Sequence, residues 1–255
     1  MTKEQIKENL KSMSLGDHLE ELRIRMILAI GGLLLGMIVC LFFGKYLIVV
    51  LRMPYDNALA SSEVPPQLQT IQPAEGFLVY VKICLVFGLL LTSPWVFWQA
   101  WTFISAGLYR HEKKFVKVVA PISAALFVAG ALFFIFFVAP LAMGFFIKFN
   151  SGLGLQSNWT FQYYINMVLM LTLVFALAFQ MPIAIVFAEK MGLVSIHQLT
   201  IWRRYVVVVL IILAAVATPP DVISQISLFI PMYILYEGSI IACRIMRKKK
   251  AQTAE

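Results

Sequence analysis

Six long blocks of apolar residues, separated by polar segments rich in Lys and Arg, limit this chain to a helical membrane fold. The blocks cover residues 24–44, 77–97, 115–138, 163–186, 205–217 and 222–243. A helix needs about 20 apolar residues to cross a bilayer. Most of the blocks have that length. Composition agrees: 61% of the 255 residues are hydrophobic and 13% are charged. A soluble domain carries roughly 25% charged and 45–50% apolar residues. Too little polar surface exists to cover a water-soluble globule, so the apolar excess faces lipid. The fold class expected is an all-α integral membrane protein with six transmembrane helices, the fifth and sixth short.

The fifth block limits this picture. About 13 residues at 1.5 Å each reach roughly 20 Å, against a hydrocarbon core of about 30 Å. Thr218-Pro219-Pro220-Asp221 then turns the chain into the sixth block. Proline ends a helix and aspartate can cap the next one. One reading is a hairpin that stops below the far membrane surface. The other is that flanking residues such as Trp202 lengthen the helix. Three segments are expected: a cytoplasmic amphipathic stretch over 1–23, a six-helix membrane domain over 24–243, and a basic cytoplasmic tail over 244–255. No small-residue cleavage site follows the first block, which is therefore expected to stay as an anchor.

Charge sets the orientation. Counting Arg25 and Lys117 at the block edges, seventeen of the 21 Lys and Arg residues belong to the segments before block one, between blocks two and three, between four and five, and after six. The positive-inside rule puts that side, and both termini, in the cytoplasm. The net charge of +8 then serves topology and anionic lipid rather than nucleic acid. Cys40, Cys84 and Cys243 lie in or beside apolar blocks with no CxxC or Cys/His ligand spacing, so no metal is expected. No Walker loop, GxGxxG, HExxH or GxSxG is present, and neither an enzyme nor a bound cofactor is expected.

Polar groups near or inside the membrane remain as candidates. Glu21 and Arg25 are four apart in the favourable helical order. They fit a solvated amphipathic helix as well as a binding surface. Glu112 is an acid among the bases of the second cytoplasmic segment. With Glu21 it would make acidic spots on a basic face, suited to a cationic peptide, since Arg pairs with carboxylate through two parallel bonds. Phe103 and Tyr109 are candidates to exclude water there. Ionisable or amide groups inside the blocks are Lys82, expected to snorkel, Gln180 and Glu237. Pro182 interrupts block four, and the Gln180 amide is a candidate to satisfy backbone that this proline frees. Glu237 lies on a face similar to that of Arg244. Gly32-Leu33-Leu34-Leu35-Gly36 fits the GxxxG packing signal.

His18-Leu19-Glu20-Glu21-Leu22-Arg23-Ile24-Arg25 resembles the N-terminal signature of the TatC family, the multi-spanning subunit of the twin-arginine protein translocase. Phe103-Ile104 with Leu108-Tyr109-Arg110-His111-Glu112 resembles that family's first cytoplasmic loop. Thr218-Pro219-Pro220-Asp221-Val222-Ile223-Ser224-Gln225, followed by Ile230-Pro231-Met232-Tyr233, resembles its fifth-to-sixth helix region. Pro54 matches a proline of its first outer loop. The resemblance implies a signal-peptide receptor and scaffold for export of folded proteins, driven by the proton-motive force, in the bacterial inner membrane. It implies that Glu21 and Glu112 face the signal's arginine pair, that Phe103 shapes the site, and that Arg23 and Arg25 share its surface. It implies that Thr218 and Gln225, with Asp221 in the turn beside them, meet single-span TatA/TatB-type subunits, and that the chain forms a homo-oligomer within a larger complex. Where many relatives carry Glu in the fourth helix, this chain has Gln180, which cannot titrate. From the residues alone a proton-coupled transporter of a small solute, using Lys82, Gln180 and Glu237, is the alternative. A membrane hydrolase lacks a nucleophile–base pair.

Overall fold

The first helix, α1, runs from Leu15 to Leu59. At 1.5 Å per residue its 45 residues reach about 68 Å, more than twice the hydrocarbon thickness. Pro54 lies within it, so this proline interrupts one backbone hydrogen bond without ending the helix. In the computed structural model, residues 15–59, 68–106, 113–155, 159–217 and 222–252 are described.

Helix α2, Glu75–Ala106, returns antiparallel along α1. Small residues at four-residue intervals, Gly32, Gly36, Cys40 and Gly44, form the seam. A Cβ on Gly36 would lie 2.8 Å from the Gly88 carbonyl oxygen, and one on Gly32 or Gly44 would strike the ring of Trp95 or Tyr80. The seam therefore requires glycine for its close approach, which is how the Gly32–Gly36 spacing acts here. Cys84 donates its thiol to the Cys40 carbonyl at 3.5 Å. Trp95 donates its indole N–H to the Leu28 carbonyl at 2.9 Å, and Tyr80 its hydroxyl to that of Leu41.

Helix α3, Lys113–Phe133, passes through a wide π-helical turn at Phe134–Val138 into α4, Ala139–Gly152. Within the turn the Ala139 N–H bonds the Phe134 carbonyl, five residues back. Pro140 follows at once, with no N–H to give and a ring that crowds the preceding turn. The wider turn accommodates both. Helices α5, Phe161–Ala178, and α6, Met181–Lys190, are broken at Phe179–Gln180, with Pro182 in the first turn of α6, where its missing N–H is not needed. A six-residue helix, α7 (Ile196–Ile201), starts at a Ser195/Gln198 capping box. Helices α8, Arg203–Ala217, and α9, Val222–Gln252, complete the chain.

The main core lies where α1, α2, the π turn, α4 and α5 meet. Tyr55, Ile83, Phe134, Ile165 and Phe175 are among its fully buried side chains. Tyr164 is buried with them and donates its hydroxyl to the Leu51 carbonyl at 2.7 Å. At the same end Gln69 and Thr160 form a short bridge.

Five helical stretches, not six, are long and apolar enough to cross a membrane among the described residues: His18–Leu59, Glu75–Ser105, Lys117–Gly152, Phe161–Lys190 and Gln225–Arg247. The expectation of six spans is thereby corrected. The missing one is α8, whose 15 residues reach only about 22 Å. The expected short last helix is corrected as well, because α9 has 31 residues. Two contacts, Arg203 with Glu237 and Ile211 with Gln225, show that α8 and α9 pack antiparallel. Helix α8 is thus the short arm of a hairpin. Sequence boundaries also fell short elsewhere. Block one ends at residue 44 whereas α1 runs to Leu59, and residues 139–152, beyond the end of block three at 138, are helical.

Candidate functional site

The first turns of α1 and the last turns of α2 come together because the glycine seam holds the two helices in antiparallel register. There the His18 ring stacks on Phe103, with centroids 4.5 Å apart and planes 18° from parallel. One and two turns further along α1 stand Glu21 and Arg25, with Arg25 Nη2 3.6 Å from Glu21 Oε1. Arg25 also donates through Nη1 to Gln99 Oε1 at 3.0 Å. Gln99 is 3% exposed. The side chains of Glu21 and Arg25 are 21% and 29% exposed.

The Glu21 carboxylate is incompletely used. At 3.6 Å the Arg25 contact is longer than a hydrogen bond of good geometry. Oε2 is buried and has no hydrogen-bond partner among the described residues, and Arg25 Nε is in the same condition. An ionised carboxylate has about four lone-pair sites to satisfy. Leaving a buried acceptor unmet costs about 1–3 kcal/mol, more for a charged one. Such a group favours an incoming donor, and a planar guanidinium matches both of its oxygens.

The other candidates divide clearly. Arg23 does not join this pocket: it lies 3.9 Å from Glu20 on an open face, with side chains 72% and 62% exposed. Glu112, Thr218, Pro219, Pro220 and Asp221 lie outside the described residues. Gln225 donates to the Ile211 carbonyl at 3.3 Å, across the α8–α9 hairpin. Gln180 donates through Nε2 to the Ser123 carbonyl at 3.0 Å, so its amide ties α5–α6 to α3 rather than satisfying backbone of its own helix. Ser123 Oγ in turn accepts from the Trp101 indole at 2.8 Å. Glu237 pairs with Arg203 at 2.7 Å and accepts from the Tyr233 hydroxyl at 3.3 Å. Arg244, the neighbour suggested by spacing, reaches Thr200 at 3.4 Å instead. Lys82 donates to Asn166 Oδ1 at 3.1 Å. Lys82, Gln180 and Glu237 thus have three separate sets of partners and form no common cluster.

Two residues were missed in the sequence. Gln99 carries only a weak signal, an amide between Trp98 and Trp101. Glu75 looks like a polar block edge, yet it is buried. Its Oε2 accepts from the backbone N–H groups of Ile71 at 2.8 Å and Gln72 at 3.2 Å, and its Oε1 from that of Gln162 at 2.8 Å. It joins the loop before α2 to the first turn of α5. An acid at a helix start three residues after a polar loop is the signal that could have found it.

The family model described as Sec-independent protein translocase protein (TatC) matches residues 17–231. The chain belongs to the TatC family. It is therefore a multi-pass inner-membrane protein, the receptor and scaffold subunit of a twin-arginine translocase, and not an enzyme. A TatC protein from Aquifex aeolicus (strain VF5) is 36% identical over 94% of this chain and 98% of the relative. TatCy from Bacillus subtilis (strain 168) is 30% identical over 96% of this chain and 94% of the relative. The crystal structure of the twin arginine translocase receptor TatC in DDM superposes with a TM-score of 0.77 at 35% identity, covering 88% of this chain and 98% of that one. The TatC match includes α1 and α2, the two helices that build the Glu21 pocket.

Proposed function

We propose that this TatC family member captures the arginine pair of a twin-arginine signal peptide at the pocket formed by His18, Glu21, Arg25, Gln99 and Phe103. The observation that carries the reading is the Glu21 carboxylate, partly buried, with one oxygen facing inward and unpartnered. Gln99 draws Arg25 to one side, leaving that carboxylate for an incoming guanidinium. The stacked His18 and Phe103 rings form an apolar border that limits water. A desolvated charge pair at an interface has coupling of about 1.5–7 kcal/mol, whereas an exposed pair is worth about 0–1 kcal/mol. Glu112 supplies the second carboxylate, by its place in the family motif. Arg23 belongs to the exposed rim.

Thr218, Gln225 and Asp221 meet the single-span TatA/TatB-type subunits at the turn of the α8–α9 hairpin, in a complex that holds more than one copy of this chain. Both termini face the cytoplasm. The Lys/Arg bias supports this. So does the hairpin: the first four long helices return the chain to the side of its N-terminus, α8 starts there, and α9 returns to it.

The test is cross-linking of an Arg-Arg signal peptide to the full translocase in membranes. Glu21→Ala and Glu112→Ala each lower the yield, and the double variant abolishes it. A double variant that cross-links like the wild type refutes the assignment.

A further inference from the structure

We propose that Lys82 and Asn166 form a seat for the phosphate of an anionic phospholipid in the leaflet nearest the Glu75 end of α2. On the orientation proposed above, this is the outer leaflet. The binding itself does not depend on that orientation.

Lys82 is exposed on α2, and its ammonium donates to Asn166 Oδ1 of α5 at 3.1 Å. It forms no ion pair among the described residues. With Oδ1 committed to Lys82, the Asn166 amide keeps its two N–H donors, and neither has an acceptor among the described residues. A cation and a free amide donor side by side suit one anion with several oxygens.

Depth favours lipid as the source of that anion. The α2 span has 31 residues, about 46 Å of helix, against about 30 Å of hydrocarbon. Shared between the ends, about 8 Å of helix lies in each headgroup layer. Lys82 is seven residues, about 10 Å, in from Glu75. Its Cα therefore sits at the hydrocarbon boundary, and its side chain can extend outward to phosphate level. The flanks fit as well. Leu85 and Met170, one turn deeper on the two helices, are 42% and 56% exposed and offer an apolar path to acyl chains. Tyr163, one turn shallower than Asn166, is 77% exposed at the interface.

The test uses the purified full chain in detergent, with native mass spectrometry after addition of dioleoylphosphatidylglycerol or dioleoylglycerol. The wild type retains one phosphatidylglycerol and discriminates against dioleoylglycerol, which lacks the phosphate. Lys82→Gln lowers retention about tenfold or more, the loss expected for a charge-assisted contact. Lys82→Arg preserves charge and retention, and Asn166→Leu lowers it. Equal retention by Lys82→Gln and wild type overturns the proposal, as does equal binding of dioleoylglycerol. Carbodiimide coupling of Lys82 to a carboxylate of a single-span subunit in membranes also overturns it, because the ammonium would then face a protein acid. None of these outcomes bears on the Glu21 pocket.

Discussion

Replacing Gly88 by alanine would put a methyl carbon 2.7 Å from the Met37 amide nitrogen and 2.9 Å from its Cα. Carbon–carbon contacts are comfortable at about 3.5–4.0 Å. Both Met37 atoms are backbone and cannot rotate aside, so α1 and α2 must part by about 0.6–1 Å. Overpacking of this kind costs about 1–3 kcal/mol. The consequence extends to the pocket, because Gln99 lies on the same helix about 16 Å further along. A uniform separation would stretch the 3.0 Å Arg25–Gln99 bond to roughly 3.6–4 Å, beyond hydrogen-bonding range. Arg25 would then be free to close on Glu21. Gly88→Ala is therefore expected to lower the unfolding temperature of the purified protein and to weaken signal-peptide cross-linking, without touching a pocket residue. Gly31→Ala is the control, since no atom lies within 4 Å of its added Cβ and alanine favours the helix by about 1 kcal/mol. A Gly88→Ala protein that melts and cross-links like wild type would refute the reasoning from the seam.

Two further outcomes are expected. Glu75→Gln leaves one acceptor oxygen where three backbone N–H groups converge, so it should lower the melting temperature clearly more than Glu20→Gln, whose side chain is exposed. In the α8–α9 hairpin, Arg203→Met and Glu237→Met should each destabilise more than half as much as expected from the double variant, because each leaves a partly buried charge alone. A double-mutant cycle on thermal unfolding should give a coupling of about 1 kcal/mol, and simple additivity would contradict the clasp.

The helical membrane architecture is legible in the sequence because apolar runs of bilayer length have few other solutions. The helix ends are not, since Pro54 and Pro140 look like breakers but are absorbed, one within α1 and the other behind a π turn. The span count also failed at α8. Its shortness is legible in the length of block five, but an aliphatic run followed by a turn still reads as a crossing helix. In the pocket, the Glu21–Arg25 pair can be read from its four-residue spacing. Gln99 cannot, nor can the stacking of Phe103 on His18, because these residues reach α1 from positions 74 and 85 residues away, and only the glycine seam brings them there. Gly32 and Gly36 signal such a seam, but they do not name Gly88 as its other half. Polar residues inside the blocks are easy to find and hard to pair. Glu237 meets Arg203 rather than Arg244, since the hairpin, not the helix period, chooses its neighbour.

The most direct measurement is a double-mutant cycle between receptor and ligand. Affinities of the reconstituted complex are compared for wild type and Glu21→Gln, each with an Arg-Arg signal peptide and with one whose first or second arginine is glutamine. If the inward oxygen of Glu21 holds a guanidinium, one arginine position will couple to Glu21 by about 1.5 kcal/mol or more, a factor of at least about ten in affinity. Losses that add within about 0.5 kcal/mol at both positions would mean that the carboxylate and the arginines never meet.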